Sequence, residues 1–268
     1  MLSINLEECN KCGICSAVCP ACIINTDNGW PELQTDKESL CIRCGQCFVH
    51  CPQGSINIDF SNAREFSGAI GEPLTLEQIG YYIANRRSVR CFKKEQVPRE
   101  TIEKLLDIVR YAPTAKNAQN VKWVIVSSKD KLNEILDLTA RYLEDRAAKS
   151  YDPLEIEYLS YLLSERKKGR DLILWDAPHL ALAYERNRGI KSINGVIAAT
   201  CFMMAAPAIG LGTCWAGYLQ MATSSTSQFN EVLQIPEGNL ITGALMFGYP
   251  QYKTYRIPQR KAARVLWL

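Results

Sequence analysis

From residue 75 onward, apolar positions fall either on helical spacing or in continuous runs, and the two patterns alternate. Thr75 and Gln78 form a capping-box pattern ahead of Leu76, Ile79 and Ile83, which share one face, so a helix is expected from there to Arg86. Pro98 opens a second helix with Ile102, Leu105, Leu106 and Val109 at helical spacing, stopping before Pro113. Strand-like runs at 121–127, 179–184, 213–219 and 240–247 are separated by helical stretches near 129–148, 153–168, 192–208 and 225–234. Strands alternating with helices, followed by a polar tail, predict an α+β or α/β sheet domain. The stretch 192–208 carries Val196, Ile197, Cys201 and Met204 on one face and Phe202, Met203 and Ala206 on another, so its helix is expected to be buried all round. That makes it either the central helix or one packed against a second subunit. No charge occurs between Ser192 and Asn230, but Pro207, Gly210 and Gly212 interrupt the apolar run well short of the roughly 20 residues a membrane span needs. No membrane association is expected.

The first sixty residues are organised by cysteine instead. Nine of the twelve cysteines lie within the first 51 residues, and CNKCGICSAVCP recurs 32 positions later as CIRCGQCFVHCP. Each copy reads C-x-x-C-x-x-C-x-x-x-C-P, the spacing of two-cluster bacterial ferredoxins, in which the fourth cysteine of each run ligates the other cluster. Cys9, Cys12, Cys15 and Cys51 are therefore expected to hold one [4Fe–4S] cluster, and Cys41, Cys44, Cys47 and Cys19 the second. Gly13 and Gly45 relieve backbone crowding beside them. Zinc is the competing reading, yet a third cysteine at the same short step suits a tetrahedral ion poorly. Cys22 falls outside the repeat, matching Gly54 in the second copy, and reads as a small core residue. His50 reads as packing near a cluster.

Composition narrows the class. The chain has 268 residues and a formal net charge of +3, too weak a field to suggest a nucleic-acid partner. Residues 1–10 carry Glu7 and Glu8 and no apolar core flanked by basic residues, so no secretory signal is expected. A reducing, cytoplasmic setting follows, in which disulfides are not expected. Residues 1–60 contain seven acidic and three basic side chains, a balance of −4 that leaves +7 for the remainder. An acidic module docking on a basic one is the consequence. So short a unit, with few large apolar residues, needs its clusters as a core. The expected organisation is a ferredoxin-type domain over 1–60, a linker over 61–74 and a sheet domain over 75–268.

Other signals are local. Gly210-Leu-Gly212 follows a helix rather than linking a strand to a helix, so a dinucleotide fingerprint fails on context, and there is no Walker A sequence. Arg86-Arg87-Ser88-Val89-Arg90 places four anion-binding side chains in five residues at a helix end; a solvated basic turn has the same appearance.

Taken together, RRSVRCF (86–92), APTAKNAQ (112–119), GLGTCWAG (210–217), FGYP (247–250) and RIPQRK (256–261) resemble the nitroreductase family of FMN-dependent oxidoreductases, over residues 75–268. The resemblance implies that Arg86, Arg87 and Ser88, helped by Arg260, hold the FMN phosphate, and that Arg90 faces the pyrimidine side of the flavin, where a cation stabilises the reduced, anionic ring. It implies a homodimer with FMN at the interface, so that Pro113, Thr114 and Asn117 reach the flavin from the partner subunit. Trp215-Ala216-Gly217 would run along the ring with a backbone N–H near N5, although Gly217 stands where many relatives carry an acidic residue. Ordinary core packing accounts equally for Trp215. Cys91, Cys201, Cys214, His179, Met203 and Met204 read as structural.

The implied activity is an iron–sulfur flavoprotein oxidoreductase. Ferredoxin, flavodoxin or another low-potential donor would load the two clusters with single electrons, and FMN would pass electron pairs to a small electron-poor acceptor such as a nitroaromatic, quinone or activated alkene. A relay subunit feeding a partner protein, or a dehydrogenase exporting electrons through the clusters, would use the same parts. No acid–base side chain stands out. Residues 142–170, with Tyr151, Tyr158 and Tyr161, read either as a cover setting substrate choice or as an amphipathic surface helix pair.

Overall fold

The computed structural model describes residues 2–59, 73–187 and 193–268. The expected linker lies almost wholly outside the described residues, as does Ser192. Two compact units emerge, Met1–Pro73 with Thr114–Ala118, and Leu74–Pro113 with Gln119–Leu268.

In the first unit, β1 (Leu2–Ile4) is followed by the one-turn helix α1 (Ile14–Ala17), strands β2 (Ile24–Asn25) and β3 (Glu32–Leu33), a second one-turn helix α2 (Gln46–Val49) and β4 (Ile56–Ile58). β1 pairs antiparallel with β4, and β2 with β3. The sequence repeat becomes a structural one: α1 and α2 each start after a left-handed glycine, Gly13 at φ 72° and Gly45 at φ 75°, a conformation glycine adopts without a Cβ penalty. The buried core is small, comprising Ile23, Ile24, Ile56 and Ile58 with the thiols Cys15 and Cys47.

The second unit begins with α3 (Leu76–Asn85), where Thr75 and Gln78 make the reciprocal capping box at 2.9 and 3.2 Å. α4 (Arg99–Val109), β5 (Lys122–Val126), α5 (Lys129–Lys149), α6 (Pro153–Lys167) and β6 (His179–Arg186) follow, then α7 (Asn194–Ala205), β7 (Gly212–Trp215), α8 (Gly217–Thr223), α9 (Gln228–Val232) and β8 (Asn239–Gly248). The sheet order is β5-β6-β8-β7 with every pair antiparallel, which makes the unit α+β. Side chains alternate across β6 and β8: Leu180, Leu182, Ala244 and Met246 join the core under α5, α6, α8 and α9, while Ala181, Leu245 and Phe247 join the one under α4 and α7. Burial on both faces explains why these strands read as continuous apolar runs. α7 approaches closely because Gly195 and Gly243 lack side chains; a Cβ on Gly195 would sit 1.9 Å from Thr242 Oγ1.

Three expectations change. The run 213–219 is strand only to Trp215 and then turns into α8, because a short apolar run carries no period to separate the two. α7 is not buried all round: Asn194, Gly195, Ala198, Ala199 and Phe202 are buried, while Val196 and Thr200 are exposed. The amphipathic face of α3 is uncovered, Leu76 being 81% and Ile83 52% exposed. Residues 251–268 are exposed throughout. No described helix is long and apolar enough to cross a membrane.

His179 ties the start of β6 to its neighbours. Its Nε2 accepts from the Val97 N–H at 2.9 Å, which leaves Nδ1 as the protonated nitrogen donating to Ser127 Oγ at 2.7 Å, and its ring stacks on Phe247. Burial lowers its pKa from 6.5 to about 4. Between those values the unfolded chain binds the proton and the folded one does not, so the stability this site contributes is complete above about pH 6.5 and is lost as pH falls toward 4, ~3 kcal/mol in all. Urea midpoints measured from pH 7 to 4 should fall steeply in the native protein. His179→Leu should start lower, having lost two hydrogen bonds, but vary less with pH; parallel curves would remove His179 from the acid response.

Candidate functional site

The eight repeat cysteines divide between two cavities of the first unit. Cys9, Cys12, Cys15 and Cys51 line one, with Gly13, Pro31, Ser55 and Ile56. Cys19, Cys41, Cys44 and Cys47 line the other, with Ile23, Ile24 and Gly45. Cys19 thus lies with the second run and Cys51 with the first, and all eight are free thiols. Among the described residues no three His, Cys, Asp or Glu side chains converge as they would around a single ion; the thiols surround volumes instead. Cys22 lines neither cavity and is exposed, so its reading as a core residue is overturned; it sits in a turn at φ 50°. His50 bonds back to the Gln46 carbonyl at 3.0 Å.

Burial opposes ionisation of the deepest thiols, so holding them as thiolates calls for a bound cation. Burial pushes the Cys47 thiol up to about 11, with Cys19 and Cys44 adding to the rise, and burial likewise raises Cys15. Burial also works to raise Cys51, but the Ser55 hydroxyl at 3.2 Å and the Gln53, Ser55 and Ile56 amides outweigh it and the net shift is downward. Gathered thiolates repel one another in a partly dry pocket, and iron offsets that charge on binding. The donor set therefore fits two [4Fe–4S] clusters.

In the second unit, the segment after α3 is laid beside β7. Ser88 bridges to Thr213, and the Val89 N–H donates to the Thr213 carbonyl at 2.9 Å. Gly212 permits this approach, since a Cβ there would meet Val89 Cγ2 at 2.5 Å. The segment gathers Arg86, Ser88 and Arg90 around Cys214: burial raises that thiol, while the Arg90 charge, a Ser88 hydrogen bond and the Arg86 charge pull it down. β7 then delivers Trp215, half-buried, Ala216, buried, and Gly217, exposed. The Ala216 N–H is used by the Ala244 carbonyl at 2.9 Å, whereas the backbone at Gly217 is open, with no atom closer to its absent Cβ than Trp215 Cδ1 at 4.0 Å. Arg87 is half-buried. Arg260 lies in the exposed 251–268 segment, and among the described residues no hydrogen bond or ion pair joins it to the Arg86 group. Pro113 is exposed in the second unit, while Thr114 and Asn117 belong to the first. Cys214 is buried as expected and Cys201 is half-buried, but Cys91 is exposed, so its reading as a packed apolar residue is overturned; it precedes Phe92, which bridges Pro250.

Two features of the site escaped the sequence. Arg90 lies over the Trp175 ring at 5.8 Å, and Trp175 and Asp176 are consecutive left-handed residues, φ 57° and 49°. Asp171 holds this loop by accepting the Ile173, Leu174 and Asp176 amides at 2.8–3.1 Å. The second is Glu185, a buried carboxylate that accepts from Asn120 Nδ2, Asn194 Nδ2, the Gly195 N–H and Thr242 Oγ1 at 3.1–3.3 Å, fixing the start of α7 on the sheet.

α5 and α6, the segment expected as a substrate cover, border a cleft of about 690 Å³ with Ser225, Thr226 and Gln228 opposite. Arg146 crosses it to Glu155 at 2.6 Å, and Ser150 supports the same carboxylate at 2.6 Å. Tyr218, directly after Gly217, is hydrogen-bonded to Tyr158 and pushed up to about 12, chiefly by burial.

Residues 83–249 match the profile of the nitroreductase family. The chain belongs to that family. A second match, to the 4Fe-4S dicluster domain, spans residues 8–56, so this member carries an N-terminal ferredoxin-type unit and is an oxidoreductase. Among curated proteins it is 28% identical over 160 residues to nitroreductase NfnB of Mycolicibacterium smegmatis, covering 49% of this chain and 67% of that one. It is 22% identical to a putative NADH dehydrogenase/NAD(P)H nitroreductase of Archaeoglobus fulgidus, covering 66% and 87%. Among solved structures, the FMN-bound nitroreductase of Bacteroides fragilis superposes with a TM-score of 0.55 at 21% identity over 71% of this chain and 98% of that one. One from Desulfitobacterium hafniense, also with bound FMN, gives 0.56 at 21% over 70% and 96%. At such identity these structures establish the fold.

Proposed function

We propose that this nitroreductase is an iron–sulfur flavoprotein that takes single electrons from a low-potential donor, such as a ferredoxin or flavodoxin, and delivers them in pairs to a small electron-poor acceptor: a nitroaromatic, quinone or activated alkene. The cofactors are two [4Fe–4S] clusters and FMN. The observation that carries the reading is the four-and-four division of thiols between two cavities, in a chain whose remainder has the nitroreductase fold. When bound, FMN supplies the conversion between one-electron delivery and two-electron reduction.

This chain's own residues do the rest. Arg86, Arg87 and Ser88 hold the phosphate with charge-assisted hydrogen bonds, and Arg260 joins them from the exposed C-terminal segment. Arg90, steadied over Trp175, keeps a fixed positive charge at the pyrimidine edge. Because the Ala216 amide is already used, the N–H offered toward N5 falls to Gly217, where the open backbone admits a ring. Trp215 borders the same face. The uncovered face of α3, the exposed side of α7 and the exposed C-terminal segment are surfaces for a second copy, which supplies Pro113, Thr114 and Asn117 to each flavin. A reducing compartment such as the cytoplasm suits cysteine-ligated clusters.

Anaerobic stopped-flow reduction tests the reading. A low-potential donor should bleach the cluster and flavin absorbances, and a nitroaromatic or quinone should restore both rapidly. Reoxidation that required a partner protein, or flavin reduction by an organic substrate alone, would replace this function with a relay or a dehydrogenase.

A further inference from the structure

The two cluster-binding runs are near copies, yet the structure treats them differently at one point. Asn117 Nδ2 donates to two successive carbonyls of the second run, Ile42 O at 3.2 Å and Arg43 O at 2.9 Å. All three residues belong to the first unit. Asn117 is held there by a strained turn: Lys116, Asn117 and Gln119 are left-handed at φ 53°, 50° and 45°, an arrangement that persists only where surrounding contacts over-determine it.

Both carbonyls lie inside the Cys41–Cys44 turn, and there is no cis peptide among the described residues. In a trans peptide plane the N–H points opposite the C=O. A side chain that holds the Ile42 and Arg43 carbonyls on one side therefore directs the Arg43 and Cys44 N–H groups to the other. The first run shows where that amide goes in this fold, because the residue matching Arg43 is Lys11, and its N–H donates to Cys9 Sγ at 3.4 Å. Both turns share the left-handed residue that produces this, Lys11 at φ 61° and Arg43 at φ 51°. In the first run the neighbouring amide is instead turned to a side chain of its own turn, the Cys12 N–H donating to Asn10 Oδ1 at 3.3 Å. Ile42 stands at the position of Asn10 and offers no such acceptor.

We infer that Asn117 is a positioning residue for the second cluster: by clamping the Ile42 and Arg43 carbonyls it aims the Arg43 and Cys44 amides at the sulfurs held by Cys19, Cys41, Cys44 and Cys47, and so raises that cluster's reduction potential. Hydrogen bonds to cluster sulfurs stabilise the more negative, reduced state. Each cluster takes up one electron on reduction, so the clamp gives near-identical repeats unequal electron affinity. The inference rests on the proposed clusters. It also gives Asn117 a duty distinct from a flavin contact, since both Nδ2 hydrogens are engaged and only Oδ1 remains for another partner.

The test is a dithionite titration of the whole protein, followed by electron paramagnetic resonance, on the native chain and on Asn117→Leu and Asn117→Asp, neither of which can donate to the carbonyls. One midpoint should fall, by an amount equivalent to about a tenfold smaller reduced-to-oxidised ratio at fixed poise, or 59 mV for a one-electron couple, while the other stays. Lys116→Ala, in the same turn, should leave both unchanged. Unshifted midpoints with full iron in either variant would overturn the inference, as would loss of iron in both, which would make Asn117 a fastener of the loop. Absence of iron from the native protein would instead defeat the cluster reading itself.

Discussion

Purified anaerobically, Cys44→Ala is expected to lose about half of the iron of the native protein or more while retaining its flavin. Cys44 shares its cavity with Cys19, which comes from the other repeat, so the second cluster crosslinks the two halves of the unit. Without it, β1 and β4 and four isoleucines are left to bury apolar surface, and two of the six core positions are themselves thiols. So small a core does not hold a domain of this length. Limited proteolysis should accordingly cut within residues 2–59 more readily in the variant than in the native protein, with cleavage elsewhere unchanged. Cys22→Ala, whose thiol is exposed and outside both cavities, should keep full iron and resist cleavage. Unchanged iron in Cys44→Ala would break the ligand assignment, and loss of flavin with the iron would deny the independence of the two cofactor sites.

The division of the eight thiols between two cavities was legible because a repeat at fixed spacing is a covalent statement: it sets which cysteines can lie close together. The capping box of α3 and the proline at the start of α4 were legible for the same reason, since both act within one turn. What the sequence concealed was mostly what covers a face. The period of Leu76, Ile79 and Ile83 established an amphipathic helix but not that these three side chains stay exposed. α7 looked uniformly apolar because its exposed side carries Val196 and its buried side small residues, a contrast invisible to a hydrophobicity pattern.

The supports of Arg90 and of the start of α7 were hidden for a different reason. Trp175 and Asp176 adopt left-handed conformations without glycine or asparagine to announce them; the one trace is Asp171, an acid placed to accept amides two, three and five residues on. Glu185 read as the polar end of a strand, yet it is buried by partners from positions 120, 194–195 and 242 that only folding brings together. His179 read as structural, and its two hydrogen bonds bear that out. The gathering of residues 86–90 needed β7, since only its alignment with Ser88 brings Arg86, Ser88 and Arg90 around Cys214.

Arg86→Ala is expected to weaken FMN binding by about 10- to 150-fold, the equivalent of losing ~1.5–3 kcal/mol of charged hydrogen bonding. Arg86 stands at the C-terminal end of α3 and is half-buried, and a phosphate carrying up to about two negative charges loses a forked donor when it is cut back. Arg86→Lys keeps the charge without the fork and should fall between the two. Arg260→Ala should weaken binding less, since nothing among the described residues fixes that side chain before the ligand arrives and ordering it costs entropy. Arg99→Ala, exposed and paired with Glu103 on the surface of α4, should leave affinity unchanged. Flavin fluorescence titrated against deflavinated protein measures each constant, with cluster absorbance confirming that the first unit is intact. Native affinity in Arg86→Ala would move the phosphate away from the end of α3, and with it the orientation that brings Gly217 to the ring.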